Sequence, residues 1–115
     1  LSDSTLQAIA EAGGVVQCTM YGGFCALDHP EDYGISQDQN PSILTFMVHL
    51  RHLIRLCGID HVGIGSDFDG DGGVPGLDDV ASMLKITQML LAEGFSDDDI
   101  CRLWGDNFRR VLHAV

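Results

Sequence analysis

Basic residues are scarce in this sequence, which has 6 Lys and Arg against 17 Asp and Glu and a net charge of −11 over 115 residues. This balance argues against binding to a nucleic-acid backbone and against attachment to anionic lipid. Apolar runs are short as well, and no stretch approaches the roughly 18 apolar residues of a membrane-spanning helix. The first residues, Leu1–Ser4, show neither an initiator methionine nor the features of a signal peptide. We therefore expect more sequence upstream of Leu1.

Cysteines are few, and none of the 4 forms a CxxC pair, so neither a zinc ribbon nor a dithiol redox site is indicated. Cys18 and Cys57 lie in apolar runs, which predicts buried free thiols and favours a reducing compartment such as the cytoplasm. One disulfide remains compatible with the cysteine count. Hydrophobic residues make up 45% and charged residues 20% of the chain, a composition that excludes a disordered protein.

Helix and strand signals alternate along the chain. The predicted elements are a helix over 2–11 capped by Ser4, a strand over 15–21, an irregular stretch over 22–41, a helix over 42–57 capped by Ser42, a strand over 61–67, and helices over 78–94 and from 96 onward with a break at Gly105. Strands that alternate with helices predict an α/β fold with a parallel sheet.

Two strands cannot form a parallel sheet with both faces covered, because such sheets are buried on both sides. We expect the missing strands to precede Leu1, so that residues 1–115 form a fragment of one larger domain. The exposed sheet edges of the isolated fragment would favour aggregation or association, including a homo-oligomer.

The acidic loop Asp67–Asp78 has two interpretations as a surface feature. Its acids at the first, third and fifth positions, followed by Gly72, nearly match the sequence pattern of the calcium-binding loop of an EF-hand. In this interpretation the chain would be a non-enzymatic calcium-binding module. An approach by a strand instead of a helix argues against that interpretation, as do Pro75 and Gly76 near the exit. The other interpretation is a solvated acidic turn.

A third interpretation places Asp67 at the carboxyl end of a parallel strand. Alternation puts Gly63, Gly65 and Asp67 on one face, so the two glycines would leave room beside the acid. Side chains at the carboxyl ends of strands carry the chemistry of β/α barrels. Asp67 is therefore a candidate base or metal-site residue.

The segment Gly58–Gly70, with the sequence GIDHVGIGSDFDG, resembles the signature of the membrane (renal-type) dipeptidases, peptidase family M19. The similarity extends over nearly the whole chain. Leu1–Asp3 resembles the stretch after the family's substrate-binding arginine, Val15–Tyr21 its penultimate barrel strand, and Trp104–Val111 its closing helix.

The resemblance implies the C-terminal part of a TIM-type (β/α)8 barrel of the amidohydrolase kind, with its last two strands and their helices. It implies hydrolysis of dipeptides at two bridged zinc ions. The family's zinc ligands lie on earlier strands, so no metal ligand is expected in residues 1–115 and the chain alone would be inactive.

Three site residues follow from the same resemblance. Asp67 corresponds to the acid that faces the bridging hydroxide and the amine of the substrate. Tyr21 and Phe24 correspond to positions near the substrate pocket. The chain departs from the family at Phe24, where some members have tyrosine, and at Thr19, where asparagine is common.

The histidines have structural interpretations. His49 and His52 are three residues apart on a predicted helix and could suggest a metal pair, but no third ligand has suitable spacing. His61 is expected to pack or to support another side chain. A catalytically silent relative that keeps the fold as a binding protein is a further alternative, which upstream metal ligands would exclude.

Overall fold

A computed structural model describes all residues, Leu1–Val115. It contains two β-strands and six α-helices joined by 3₁₀, π-helical and irregular segments. In chain order these are α1 (Asp3–Glu11), β1 (Val16–Thr19), α2 (Gly22–Cys25), α3 (Ile43–Cys57), β2 (Val62–Gly65), α4 (Leu84–Ala92), α5 (Asp97–Cys101) and α6 (Asn107–Ala114).

The two strands pair in parallel, with Val16 opposite Val62 and Thr19 opposite Gly65. This arrangement confirms the predicted parallel α/β order. Both strands are shorter than the predicted spans of 15–21 and 61–67. β2 ends early because Asp67 adopts a left-handed conformation, with φ of 55°, which turns the chain out of the extended direction.

The sheet has one face packed against helices and one face open. Val16, Cys18, Val62 and Ile64 contribute to the main apolar cluster or pack against it. Helix α3 supplies the centre of that cluster, where Phe46, Met47 and Leu50 are fully buried, and α4 adds Ile86 and Leu90. Because side chains alternate, the opposite face carries Gln17, Thr19, Gly63 and Gly65. No helix of this chain is long and apolar enough to cross a membrane.

Helix caps explain where the helices begin. Ser42 caps α3 as predicted, since its Oγ accepts a hydrogen bond from the backbone N–H of Leu44 at 3.1 Å. The cap of α1 is Ser2 instead of Ser4, because the Oγ of Ser2 accepts from the N–H of Thr5 at 3.2 Å. The helix predicted over 78–94 is divided into a 3₁₀ segment, Val80–Met83, capped by Asp79, and α4.

Two further regions refine the predicted elements. The stretch 22–41 is not wholly irregular, because it contains α2 and the 3₁₀ turns Pro30–Tyr33 and Gln37–Gln39. The predicted break at Gly105 is confirmed, since Gly105 has φ of 178° and ψ of −23° between α5 and α6. The chain then continues directly into α6, which places Asn107 beneath β2.

Candidate functional site

The loop that follows β2 folds back onto the carboxyl end of β1. Met20 donates its N–H to the carbonyl of Gly65 at 3.0 Å, and Gly73 donates its N–H to the carbonyl of Met20 at 2.6 Å. Tyr21 and Gly73 form an isolated parallel bridge. These contacts bring the residues after β1 and the residues after β2 to the same edge of the sheet, where we define a rim formed by Tyr21, Phe24 and Asp67.

Asp67 starts the turn at this rim. Its carbonyl accepts hydrogen bonds from the N–H groups of Gly70 at 2.9 Å and Gly72 at 2.7 Å. A Cβ on Gly70 would lie 2.5 Å from Oδ1 of Asp67, so the Asp67 carboxylate lies over Gly70 and a side chain there would displace it. Asp67 is exposed and its side chain does not cap the turn. The carboxylate is therefore available to a ligand.

The two glycines of β2 differ in what lies above them, although both were predicted to leave space. A Cβ on Gly63 would lie 2.1 Å from Oε1 of Gln17, so the side chain of Gln17 fills the space over Gly63. A Cβ on Gly65 would meet Cβ of Gln17 at 3.7 Å and Oγ1 of Thr19 at 3.9 Å, which are ordinary contacts. The prediction is wrong for Gly63, whereas a Cβ at Gly65 would not displace any side chain of this chain.

Tyr21 and Phe24 form an aromatic pair after the carboxyl end of β1. Their ring centroids are 5.0 Å apart and their planes are inclined at 73°, an edge-to-face arrangement. A Cβ on Gly23 would lie 2.7 Å from Cε1 of Tyr21, so the ring of Tyr21 stands over the start of α2. Tyr21 is partly buried, whereas Phe24 is 68% exposed. Phe24 thus presents an apolar surface at the rim.

The rest of the acidic loop is anchored by apolar residues. Val74 and Leu77, exposed by only 2% and 0%, pair around Pro75 and Gly76. The carbonyl of Pro75 accepts the N–H of Ile43 at 2.9 Å, which ties the loop to the start of α3. A strand leads into the loop and this tight turn leads out of it, so the EF-hand interpretation is wrong. The acids Asp69, Asp71 and Asp78 are exposed to solvent.

With this geometry in place, comparison with known proteins identifies the family. The model of the membrane dipeptidase family, peptidase family M19, matches residues 1–115. The chain belongs to the M19 family. Dipeptidase aclJ of Aspergillus oryzae is 38% identical over a 115-position alignment that covers 98% of this chain and 25% of that protein. An uncharacterized protein in the pqqA 5′ region of Klebsiella pneumoniae is 34% identical, over 100% of this chain and 40% of its own length.

Solved structures of M19 relatives superpose on nearly the whole chain. Dipeptidase AC, a metallopeptidase of this family, gives a TM-score of 0.82 at 29% identity, covering 98% of this chain and 32% of its own. The probable dipeptidase PvdM of Pseudomonas aeruginosa gives a TM-score of 0.79 at 25% identity, covering 96% of this chain and 39% of its own. A Rhodobacter sphaeroides metallopeptidase was solved liganded with a phosphinate mimic of the dipeptide L-Ala-D-Ala. It gives a TM-score of 0.76 at 26% identity, covering 98% of this chain and 30% of its own.

The chain therefore spans a quarter to two fifths of the length of the curated relatives it matches. Its likeness to the M19 structures confirms the predicted fold class, a part of a TIM-type barrel of the amidohydrolase kind. In such a barrel the open face, with Gln17, Thr19 and the two glycines, is the interior face, and the rim lies at the carboxyl end of the strands.

The histidines of this M19 chain do not converge on one point. His61 donates from Nδ1 to the carbonyl of Gly14 at 2.9 Å. His52 lies 3.2 Å from Arg55 and 3.1 Å from Asp3. Since the guanidinium can only donate, Nδ1 of His52 accepts and Nε2 donates to the carboxylate. Nε2 of His49 is buried without a partner. No group of three or more His, Cys, Asp or Glu side chains is arranged to hold a metal ion.

The cysteines near β1 are packing residues, as predicted for Cys18 and Cys57. All four are free, and Cys18, Cys25 and Cys57 are buried. Burial raises the pKa of the Cys25 thiol to about 11, and burial together with the neighbouring Cys25 raises the pKa of Cys18 further. Burial also raises the pKa of Cys57. These thiols remain protonated at neutral pH, so they are poor nucleophiles.

Sequence reasoning missed the contribution of Gln17 and of Gly73. The alternation of side chains already placed Gln17 on the face of Thr19, but nothing in the sequence indicated that its amide crosses to Gly63 on the other strand. The pairing of Gly73 with the end of β1 is likewise a contact between residues more than fifty positions apart. Only the fold reveals that this contact assembles the rim.

Proposed function

We propose that the protein to which these 115 residues belong hydrolyses dipeptides with the help of zinc. The observation that carries the proposal is that the loop after β2 folds back onto the end of β1 at Tyr21, and that Asp67, which starts this loop, has an exposed carboxylate that does not cap the turn. Barrel enzymes place their active sites at this end of the strands. Membership of the M19 dipeptidase family supports the same reaction.

The residues of this chain do not by themselves fit a zinc site. His52 and His61 are engaged in other hydrogen bonds, and no suitable group of ligands exists. We therefore assign the ligands of two zinc ions to parts of the protein outside residues 1–115. Zinc held there would polarise the scissile carbonyl and a water molecule. The chain alone should accordingly be inactive.

Asp67 contributes two tasks to the proposed reaction. Its carboxylate accepts a hydrogen bond from the free ammonium group of a dipeptide, a charge-assisted contact that favours substrates with an unblocked amino terminus. The same carboxylate can take a proton from the attacking water and deliver it to the nitrogen of the leaving amine. Both tasks require an exposed carboxylate without a competing partner in the protein, which is how Asp67 lies.

Tyr21 and Phe24 form the aromatic wall of the proposed site. The edge-to-face contact holds the two rings in a fixed relative orientation at the end of β1. Phe24 lacks a hydroxyl group, so its contact with substrate is apolar. We expect this wall to position the dipeptide beside Asp67 and to exclude water from one side of it.

The full-length protein provides the test. Purified protein should release free amino acids from simple dipeptides, should lose the activity after chelation and dialysis, and should recover it when zinc is restored. An acetylated dipeptide, which has no free ammonium group, is the matched control and should be a poor substrate. Failure to hydrolyse any dipeptide in a broad panel, with zinc present at stoichiometry, would contradict the proposal.

A further inference from the structure

Gly70 and Gly72 both lie in the turn that Asp67 starts, yet they are glycine for different reasons. A Cβ on Gly72 would lie 2.1 Å from the carbonyl oxygen of Ser66 and 2.4 Å from that of Asp67, so a side chain there would push the backbone apart. A Cβ on Gly70 would lie 2.5 Å from Oδ1, 3.1 Å from Cγ and 3.3 Å from Oδ2 of Asp67. Apart from its chain neighbours, the three atoms nearest to that Cβ therefore all belong to one carboxylate.

The backbone does not require glycine at residue 70. Gly70 does not adopt the positive φ that Gly73 and Gly76 adopt, and it is exposed. Its N–H donates to the carbonyl of Asp67 at 2.9 Å, a main-chain hydrogen bond that alanine makes equally well. The turn itself would therefore accept a methyl group at residue 70, and only the Asp67 carboxylate is in its way.

The orientation of the Asp67 side chain depends on this contact. The carboxylate is exposed and does not cap the turn, so no hydrogen bond of the turn fixes it. A side chain without a partner is restricted by steric exclusion among its staggered rotamers. Glycine at residue 70 leaves open the rotamer in which the carboxylate lies over the turn, and any larger residue would close that rotamer.

We propose that Gly70 is a positioning residue for dipeptide hydrolysis and acts through Asp67, because its missing side chain lets the carboxylate lie where it receives the ammonium group and the proton. This inference rests on the proposed function. A methyl group at residue 70 moves the carboxylate into another rotamer and leaves its charge unchanged. A misplacement of ~1 Å in a reacting group can cost ~10² in rate. Gly70 thus affects the reaction without contacting the substrate.

The experiment measures hydrolysis of Ala-Ala by variants of the full-length protein. Gly70→Ala should lower kcat by ~10–100-fold. The matched control is Asp69→Ala, which places alanine one position earlier in the same 3₁₀ turn, Phe68–Gly70, and should keep the wild-type kcat. The double variant Asp67→Asn/Gly70→Ala should turn over at the rate of Asp67→Asn alone, because the group that the methyl displaces no longer carries the charge. A structural role for Gly70 would instead add its own loss to the double variant.

Thermal unfolding and zinc content complete the experiment. Gly70→Ala should retain its metal and unfold at or above the wild-type temperature, since alanine restricts the unfolded chain, whereas Gly72→Ala should unfold at a lower temperature because its Cβ meets the backbone.

A Gly70→Ala protein that unfolds earlier, loses zinc or keeps kcat within threefold of the wild type would overturn the inference. A double variant whose loss is the product of the two single losses would overturn it as well. A wild-type protein that does not hydrolyse the dipeptide would overturn the proposed function and this inference together. An active wild type, an impaired Asp67→Asn and an unimpaired Gly70→Ala would overturn the inference alone.

Discussion

At the amino end of β2 the polar side chains hydrogen bond to one another and to the backbone, whereas at the carboxyl end the Asp67 carboxylate is exposed and does not cap its own turn. Arg110 donates to the carbonyls of Gly13 and Asp60, each at 2.8 Å. Arg102 lies 3.2 Å from the Asp60 carboxylate and 2.8 Å from that of Asp99. Polar groups of the same kinds therefore occur at both ends, but Arg102, Arg110 and Asp60 are partnered, whereas the Asp67 carboxylate is not.

If Asp67 has the proposed role, this difference separates residues that stabilise β2 from the residue that acts on substrate. Hydrogen-bonded groups at the amino end of β2 join α6 to the 3₁₀ turn before β2 and to the segment before β1. Asn107 is the most buried of these groups, with 3% of its surface exposed. An unpaired carboxylate at the other end contributes little to stability and is free to bind. Substitutions at the carboxyl end should therefore change activity without unfolding the protein, and substitutions at the amino end should do the reverse.

The largest effect is expected from Asp67→Asn in the full-length protein. Asparagine has nearly the same size and tolerates the left-handed conformation that residue 67 adopts, so the variant should fold normally and retain its zinc. It lacks the charge that, in the proposed reaction, binds the ammonium group and accepts the proton. Loss of a positioned acid or base typically costs ~10²–10⁴ in rate, and kcat on a simple dipeptide should fall by about that factor.

The control for this variant is Asp69→Asn, two residues further along the same loop. Asp69 is exposed and makes no ion pair, so this variant should keep its activity and unfolding temperature. Steady-state kinetics and metal analysis of both variants decide the question. Turnover by Asp67→Asn within a fewfold of the wild type would show that Asp67 has no part in the chemistry.

The second effect is on stability, from Asn107→Ala at the opposite end. The Nδ2 of Asn107 donates to the carbonyls of Ile59 at 2.6 Å and Val62 at 2.8 Å. Removing this side chain leaves two carbonyls short of a donor, and a buried unsatisfied group costs about 1–3 kcal/mol. We expect the free energy of unfolding of the full-length protein to fall by roughly 2–4 kcal/mol.

Denaturant unfolding and kinetics of the folded fraction test this variant together. Activity per folded molecule should stay near that of the wild type, because Asn107 lies at the end of β2 away from the rim. Normal stability of Asn107→Ala would show that the hydrogen bonds of Asn107 do not stabilise the fold. Normal stability together with impaired turnover would show that the amino end of β2, and not only its carboxyl end, affects the reaction.

The sequence was sufficient for features that depend on neighbouring residues. The parallel α/β order followed from periodicity, the cap at Ser42 from local chemistry, and the place of Asp67 from its position after a strand. Contacts across the fold could not be predicted in this way. The side chain of Gln17 over Gly63 depends on the exact register of two strands separated by about forty residues of chain.

Local competition between equivalent groups also limited the prediction. Ser2 and Ser4 are both suitable helix caps, and the structure selects Ser2 because the helix already begins at Asp3. The strand predicted to reach residue 67 ends at Gly65, because Asp67 adopts the positive φ that aspartate tolerates. Both differences amount to two residues, yet the second determines where the Asp67 carboxylate lies.

The smallest effect is expected from Asp60→Asn, the same chemical change as in Asp67→Asn made at the amino end of β2. The Asp60 carboxylate pairs with Arg102, but the two side chains are 64% and 40% exposed, and Arg102 keeps its contact with Asp99. Exposed ion pairs contribute about 0–1 kcal/mol, so the free energy of unfolding should change by less than about 1 kcal/mol. The carbonyl of Asp60, which accepts from Arg110, is untouched by the substitution.

Turnover of the full-length Asp60→Asn protein should equal that of the wild type, since this carboxylate lies at the far end of the strand from the rim. A tenfold loss of kcat with unchanged stability would mean that the amino end takes part in the reaction, and the division between the two ends would then have to be abandoned.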